Sequence, residues 1–388
     1  MSRASSLAAV MVTGLCLIPC VSGQTGSDPS TICRWRDNAR GAYTLTFDDG
    51  TKGQWECAVP VLNRRGFRGT FYVVGSSVEA WWDGSGRLHM RELLDMMGEG
   101  HEIGSHTYTH LDLRALTEAQ IQQEMEKSIQ TLSRYGVQVT SVAYPFGTCE
   151  DRVKAIVGQY VEFARGGRPV VVSSDWTQVD PLNLGLLNGS DHYASLQAAS
   201  LLDAWAIDVF HTIGEGYLSE SDFEQFVDAL VPLRDAHELW VDTLTSIALY
   251  IRERGFAQLR SETTNDGRNI RVILAVDANC PSPLVPLTVQ TDISGRYLKS
   301  INQVDCSIGF RISQVGEQRS VIYDMLPNAG PVYIELTDGD DAQTPDSSGS
   351  SGTTSDNISA IPSPARASSE GRPWVAQTAA SGSLRSLP

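Results

Sequence analysis

Between residue 40 and about residue 255, short apolar runs alternate with amphipathic stretches of helical period. The strand-like runs lie at 43–47, 69–74, 101–104, 139–144, 160–164, 205–211 and 238–241. The clearest helix is the stretch LTEAQIQQEMEKSIQTLSRYG, where Thr117 and Gln120 can form a capping box and Gly136 follows the last turn. This alternation favours a parallel α/β sheet or barrel, and roughly seven such units predict an incomplete barrel. Periodicity alone does not separate that barrel from an open doubly wound sheet.

The pattern changes after Arg254, where the helical period stops. The chain up to about residue 338 is rich in β-branched residues, contains prolines and has frequent turn sequences. This composition predicts a small β-sandwich-like domain. Beyond that point Ser, Thr, Gly, Pro, Ala and Asp dominate, and such a composition is too poor in apolar residues to pack. We therefore predict a barrel at 24–258, a β-rich accessory domain at 259–338 and a disordered tail at 339–388.

The first residues are typical of a secretory signal peptide, predicted here at 1–23. Arg3 precedes an apolar run over 7–21, and the small residues Ser22 and Gly23 follow it. The run is too short for a comfortable membrane span, and no other segment reaches about 18 uninterrupted apolar residues. We expect a protein without a membrane span that is secreted to the extracellular space or the periplasm.

The overall charge and the absence of several motifs exclude some classes of function. The formal net charge of −16 argues against a nucleic-acid or anionic-membrane partner, whereas a neutral or basic ligand is compatible with it. The sequence contains neither a phosphate-binding GxGxxG nor a P-loop, and it has no GxSxG elbow of a serine esterase.

Five cysteines remain after the predicted signal peptide, so at least one has no intramolecular disulfide partner. They are Cys33, Cys57, Cys149, Cys280 and Cys306. In an oxidising compartment two disulfides are favoured over metal ligation, because no CxxC spacing exists. Cys280 with Cys306 is the favoured pair, since both lie in the β-rich segment, and Cys33 with Cys57 is a weaker candidate.

Several polar residues stand where predicted strands end. The strand at 43–47 runs into Asp48 and Asp49, and His106 and His211 come at or just after the ends of two other strands. In parallel α/β folds the carboxyl ends of the strands lie together and their loops collect functional groups. We therefore expect these side chains to share one site.

The adjacent acids Asp48 and Asp49 can enter one site only where the strand ends and the backbone turns, a turn that Gly50 permits. If one acid binds a cation, the other can stay ionised beside it and act as a base towards water. Taken alone, the sequence DDG is more typical of a surface turn.

His106 and His110, in GHEIGSHTYTH, are four residues apart. On one side of a helical turn both could reach a single divalent ion at about 2.0–2.1 Å, and Asp49 could complete a two-histidine, one-carboxylate site. The spacing is weak evidence by itself. The pattern HExxH is absent, because His101 and Glu102 are out of phase with it.

The motifs TFDDG, SHTYTH, YPFG and DVFH, in that order on alternating α/β units, resemble those of the polysaccharide deacetylases of carbohydrate esterase family 4, the NodB-like domains. The resemblance covers roughly residues 40–255. It implies a distorted (β/α)7-type barrel and metal-dependent hydrolysis of N- or O-acetyl groups on a glycan, with a water on the ion as nucleophile. Zn²⁺ is the ion expected from mixed nitrogen and oxygen ligands, with Co²⁺ as an alternative.

The resemblance also implies roles for individual residues. Asp48 matches the catalytic base, and His211 matches the general acid that protonates the leaving group. Asp49, His106 and His110 match the metal ligands. The backbone N–H of Phe146 matches a donor to the oxyanion, and the neighbouring Tyr144 is included among the oxyanion and substrate residues.

The third motif departs from the family pattern, because Ala143 stands where an arginine that orients the base is expected. Arg165, at the next strand end, is the best substitute, since a guanidinium could reach a carboxylate across strands. A structural salt bridge on the barrel rim is an equal alternative for Arg165. Asp175 and Trp176 resemble the fourth motif, in which an aspartate steadies the acid histidine and a tryptophan lines the site.

Three aromatic residues, Trp81, Trp82 and Tyr108, could stack on sugar rings, although packing is the commoner use of such residues. The leading hypothesis is a secreted, metal-dependent deacetylase of an acetylated polysaccharide, with chitin-like polymers ahead of acetylated xylan. The alternative is a catalytically weakened glycan-binding protein on a deacetylase scaffold, for which Ala143 is the support. A third hypothesis gives the β-rich segment a tethering role.

Overall fold

The computed structural model describes residues 28–78, 86–187, 192–214, 218–281, 284–303 and 308–339. The predicted signal peptide, the predicted tail from residue 340 onward, Trp81 and Trp82 lie outside these ranges. The chain divides into two compact units. One unit contains residues 34–256 and 284–285, and the other contains residues 28–33, 257–281 and 286–339 with the gap at 304–307.

The first unit contains seven parallel strands. They are β2 (Gly41–Phe47), β3 (Thr70–Val73), β4 (Glu102–Ser105), β5 (Ser141–Ala143), β6 (Phe163–Arg165), β7 (Trp205–Phe210) and β8 (Leu239–Val241). Their order is β6-β5-β4-β3-β2-β7, and β8 pairs with the first half of β2. The order from β6 to β2 follows the chain without the reversal that a doubly wound sheet requires, so the fold is the predicted incomplete barrel.

The segment 184–187 approaches both edges of this curled sheet. Leu184 accepts a backbone hydrogen bond from Gly166, just after β6, and the N–H of Leu187 donates to Ile207 in β7. An irregular segment therefore lies where a further strand would close a regular barrel, which makes the barrel distorted.

Eight α-helices accompany the strands in the described residues. They are α1 (Val59–Arg64), α2 (Gly75–Val78), α3 (Met90–Gly98), α4 (Glu118–Ser133), α5 (Asp151–Val157), α6 (His192–Leu201), α7 (Glu220–Asp235) and α8 (Leu244–Phe256). The predicted capping box of α4 is confirmed, because the side chains of Thr117 and Gln120 each accept from the other's backbone N–H. Within the described ranges, none of the helices has the length and apolar content needed to cross a bilayer.

Helix α8 lies across the mouth of the barrel formed by the amino ends of the strands. At its start, Thr245 donates from its N–H and its hydroxyl to Glu102, the first residue of β4, at 2.9 and 2.6 Å. Further along, Arg252 forms an ion pair with Glu162, just before β6. The opposite mouth, where the strands end, lies away from this helix.

The second unit is built from two four-stranded antiparallel sheets, as the β-rich sequence predicts. Its strands are β1 (Ser30–Ile32), β9 (Ala257–Thr264), β10 (Asn269–Val276), β11 (Leu287–Asp292), β12 (Tyr297–Gln303), β13 (Phe310–Val315), β14 (Gln318–Met325) and β15 (Val332–Thr337). The orders are β1-β11-β14-β13 and β12-β15-β10-β9. Strands such as β10 alternate buried and accessible residues, as expected for sheets packed face to face.

Strand β1 differs from its predicted assignment. Residues 24–40 were predicted to belong to the barrel, but Ser30 pairs with Thr291 and Ile32 with Val289 in the β-rich unit. A three-residue strand has too little periodic signal to indicate its sheet, and its pairing partner lies more than 250 residues away along the chain.

The structure tests one of the two cysteine pairings. Cys57 and Cys149 carry free thiols, so the candidate pair of Cys33 with Cys57 is wrong. Burial raises the pKa of the Cys57 thiol, and the carboxylates of Glu220 and Glu56 add to this effect. Cys306 lies outside the described residues, so its pairing with Cys280 stays a prediction.

Candidate active site

Two histidines and one aspartate converge at the carboxyl ends of β2 and β4. The Nε2 atoms of His106 and His110 lie 3.8 and 3.6 Å from Oδ1 of Asp49. All three donor atoms lie within 4.8 Å of one another. Donors bound at about 2.0–2.1 Å in a tetrahedral site stand about 3.3 Å apart, so a divalent ion fits this set after small side-chain movements.

The backbone around these ligands is unusual. Asp49 has φ 72° and Gly50 has φ 62°, and this left-handed turn brings both acids to one mouth of the barrel. Thr107 and His110 also have left-handed φ values, 64° and 60°. The expectation of a helical turn between His106 and His110 is therefore wrong, because an irregular loop positions them. Such conformations cost about 1–3 kcal/mol each and persist only where their surroundings enforce them.

The buried ring of His106 is fixed by its second nitrogen. Nδ1–H donates to the carbonyl of Ala143 at 2.8 Å, which leaves Nε2 as the atom that faces Asp49. Burial lowers the pKa of His106, although the negative charge of Asp48 acts to raise it. The ring is therefore neutral at ordinary pH, the form in which imidazole binds a metal.

Asp48 is 5% exposed and lies against Arg165. One guanidinium nitrogen of Arg165, Nη2, donates to both carboxylate oxygens, at 2.6 and 2.5 Å. Burial by itself raises the pKa of Asp48, but the charge and hydrogen bonds of Arg165 are foremost among the effects that outweigh burial and lower the pKa below its ordinary value. The structure thus forms the predicted contact between Arg165 and the carboxylate.

Ala143 and Arg165 are partners in register between β5 and β6. In a parallel pair, residues in register present their side chains to the same face of the sheet. The guanidinium of Arg165 therefore enters the barrel directly beside the position where the resemblance leads us to expect an arginine.

Gln54 is a site residue that was not predicted from the sequence; it lies in a short π-helix (Gln54–Ala58) and is fully buried. Its Nε2 donates to the carbonyls of Asp48 and His211, at 2.5 and 2.8 Å. One amide group thus bridges the backbone carbonyls of the candidate base and the candidate acid. A buried glutamine just after DDG gives no periodic signal that would identify it.

Two further contacts involve the ligand-bearing loops. Arg87 donates to the carbonyl of Asp49 at 2.8 Å. Glu124, on the buried face of α4, accepts from the backbone of the loop that joins His106 to His110. The sequence signal for Glu124 is its spacing, because it falls on the same helical face as Ile121, Met125 and Ser128.

The structure places Phe146 at the site but not Tyr144. Phe146 has φ 61° and is 67% exposed, and its ring lies edge-on to His110 with centroids 4.9 Å apart. Tyr144 is buried in an apolar cluster and its hydroxyl donates to the carbonyl of Leu182. Its side chain therefore belongs to the packing of the barrel wall, which corrects its inclusion among the substrate residues.

Asp175 and Trp176 lie at the opposite mouth of the barrel. Nearby Val172 pairs with Trp205, the first residue of β7, and Trp176 packs on Gly255 in α8. Asp175 caps the short 3-10 helix Trp176–Gln178. The match to the fourth motif is therefore wrong for both residues, because they lie at the amino ends of the strands.

These features define the protein as an α/β barrel with a candidate divalent-metal site and a buried, arginine-bound carboxylate at the carboxyl ends of its strands. Residues 36–160 match the family model described as polysaccharide deacetylase. The resemblance of the sequence motifs is thereby confirmed.

Three similar proteins illustrate the relationship. The chain is 26% identical over 335 residues to a gellan lyase of a Bacillus species, covering 78% of this chain and 13% of that protein. It is 30% identical over 122 residues to chitin deacetylase 1 of Cryptococcus neoformans, covering 31% and 24%. The family 4 carbohydrate esterase of Streptomyces lividans, solved in complex with acetate, is 18% identical, with coverage of 54% and 95% and a TM-score of 0.39. The chain thus covers only a small part of the length of the two sequence relatives.

Proposed function

We propose that the barrel is a metal-dependent hydrolase that removes acetyl groups from a polysaccharide. The observation that carries the proposal is the placement of Asp48, held by Arg165, 3.7 Å from Nε2 of His106, the nitrogen proposed to bind the ion. A base beside a candidate metal site at the carboxyl ends of the strands has the parts needed for hydrolysis of an amide or ester.

The residues proposed to hold the ion are Asp49, His106 and His110, and the mixed nitrogen and oxygen donors favour Zn²⁺, with Co²⁺ as an alternative. When bound, the ion polarises the acetyl carbonyl and lowers the pKa of water. The hydrogen bond from His106 to Ala143 orients one ligand before any ion arrives.

The chain's own residues move the protons. Asp48 takes a proton from the attacking water, and Arg165 keeps its carboxylate ionised and oriented. His211, which follows β7 and faces the same mouth, gives a proton to the leaving amine or alkoxide. The backbone N–H of Phe146 is proposed to stabilise the developing oxyanion.

An acetylated neutral glycan suits a chain with a formal net charge of −16 better than an anionic polymer does. The similarity to a chitin deacetylase supports N-acetylglucosamine polymers ahead of acetylated xylan. Secretion fits an insoluble polymeric substrate and is proposed from the residues at 1–23. The contact of Arg165 with Asp48 favours the enzyme over the glycan-binding alternative, which rests on Ala143.

The test is acetate release from acetylated chito-oligosaccharides and acetylated xylan with added Zn²⁺ or Co²⁺. We expect release from the wild type, loss with a chelator and loss in Asp48→Asn. Asp151→Asn is the matched control, since its side chain is 99% exposed on α5. A wild type that binds metal but releases no acetate from a broad glycan panel would refute the proposal.

A further inference from the structure

Glu124 is a buried carboxylate that the proposed chemistry does not use. It lies on α4 and is 8% exposed. Its Oε2 accepts from the backbone N–H groups of Tyr108 and Thr109, at 3.1 and 2.8 Å, and its Oε1 accepts from the hydroxyl of Thr109 at 2.6 Å. These three donors belong to the loop that joins His106 to His110, so the carboxylate acts on that loop from a neighbouring helix.

The opposite side of the same loop is also held. The carbonyls of Thr107 and Tyr108 accept from the N–H groups of Gly75 and Ser76 at the start of α2, at 3.0 and 2.8 Å. A Cβ on Gly75 would lie 3.1 Å from both Ser128 in α4 and the Tyr108 ring, so α2 packs tightly against the loop and α4. Glu124 and α2 therefore fix successive peptide groups between the two histidines from both sides.

This loop needs such restraint because Thr107 and His110 both have left-handed φ values without being glycine. If either residue relaxed towards an ordinary conformation, the neighbouring peptide groups would rotate. The orientation of the two imidazole rings would then change with the backbone. Two weaker contacts within the loop, from Thr107 N–H to Ser105 Oγ and from His110 N–H to Thr107 Oγ1, measure 3.1 Å each. Hydrogen bonds to a carboxylate are roughly twice as strong as neutral ones, so Glu124 is the strongest single restraint.

We propose that Glu124 is a positioning residue of the metal centre, which sets the separation of the His106 and His110 Nε2 atoms through the loop backbone. The inference deepens the proposed function and rests on its metal site. The competing explanation is that Glu124 merely stabilises the packing of α4. In that case its removal would lower stability without changing the metal site of the folded protein.

The experiment measures Co²⁺ binding by the full chain through its visible absorption, with Zn²⁺ competition. Glu124→Ala removes all three hydrogen bonds that the carboxylate accepts. We expect Co²⁺ affinity to fall about 10–100-fold, the usual effect of removing a residue that supports a metal ligand from outside the coordination sphere. We also expect an altered Co²⁺ spectrum and a lower kcat with little change in KM. The matched control is Gln123→Ala, because Gln123 is the exposed neighbour on the same helix.

A conservative variant separates geometry from charge. Glu124→Gln keeps one oxygen for the two backbone N–H groups, and its amide N–H can donate to the Thr109 hydroxyl. We expect it to recover most of the Co²⁺ affinity and the wild-type spectrum. Thr109→Val keeps the shape and removes one contact, so its loss of affinity should be smaller than that of Glu124→Ala.

Unchanged Co²⁺ affinity and spectrum in a folded Glu124→Ala protein overturn the inference. If that variant does not fold, unchanged affinity in Thr109→Val overturns it instead. A wild type that binds Co²⁺ but releases no acetate refutes the proposed deacetylation alone, because the positioning role is still decided by the titrations. A wild type that binds no Co²⁺ refutes both.

Discussion

Arg165 and Asp48 meet across the interior of the barrel, although three strands separate β6 from β2 in the order of the sheet. One nitrogen of the guanidinium contacts both carboxylate oxygens, and the two side chains are almost fully buried. This contact exists only because the sheet curls until its edge faces its centre. It gives the candidate base a fixed orientation and an opposite charge.

The register between Ala143 and Arg165 predicts that the arginine can be moved between strands. Arg165→Ala should lower kcat about 100-fold or more, since general bases contribute about 10²–10⁴-fold. The double variant Ala143→Arg with Arg165→Ala should recover a substantial part of this loss, because its guanidinium starts from the neighbouring in-register position. The measurement is acetate release under saturating substrate.

Removal of one partner from a buried ion pair costs about 3–5 kcal/mol of stability, so circular dichroism and the denaturation midpoint must accompany these assays. Unchanged turnover in Arg165→Ala would show that the contact with Asp48 is structural only. A double variant that folds but regains nothing would contradict the interchange of the two positions.

Gln54 should control the spacing between base and acid. Gln54→Met keeps the size of the side chain and removes the donor shared by the carbonyls of Asp48 and His211. We expect kcat to fall at least about 10-fold, since small displacements of reacting groups are costly, with a smaller effect on KM. Gln122→Met, exposed on α4, is the control. Wild-type kcat in a folded Gln54→Met protein would disprove the role.

Trp176 and His211 should respond in opposite ways, because they lie at opposite mouths of the barrel. Trp176→Ala removes packing against Gly255 in α8, so it should lower the thermal midpoint and leave kcat and KM unchanged. His211→Ala should lower kcat about 10²–10⁴-fold with Co²⁺ binding retained. A large loss of kcat in Trp176→Ala would restore the fourth-motif assignment.

His101 should make the barrel sensitive to acid. Burial lowers the pKa of His101 from 6.5 to about 3, and the charge of Arg68 adds to this shift. Its Nδ1 accepts from the N–H of Gly69 at 3.1 Å, and Nε2–H donates to Asn63 at 3.2 Å. The unfolded chain therefore takes up the proton first, and the stabilisation present above about pH 6.5 is lost as the pH falls towards 3.

The check compares urea unfolding of the wild type and His101→Asn between pH 7 and pH 4.5. Asparagine keeps an acceptor for Gly69 and does not titrate, so the wild type should lose about 3 kcal/mol more than the variant over this range. Parallel pH dependence of the two proteins would show that His101 does not cause the acid sensitivity.

Much of the fold and part of the site can be read from local pattern. Alternating runs predicted the seven strands of the barrel, and the capping box of α4 was found at the predicted residues. The positions of Asp48, Asp49 and His106 at strand ends predicted that they would meet, and the four-residue spacing from His106 added His110 to the same site. These features follow from short-range periodicity and from the rule that parallel strands end at one edge.

The other relationships required the tertiary structure, because they join residues that are distant along the chain. The curl of the sheet brings Arg165 to Asp48, and the path of α8 takes Trp176 to the far mouth. The left-handed loop between the histidines is enforced by Glu124 from another element. Register, curvature and side-chain contacts between separate elements decide such pairings, and residue spacing within one element carries no information about them.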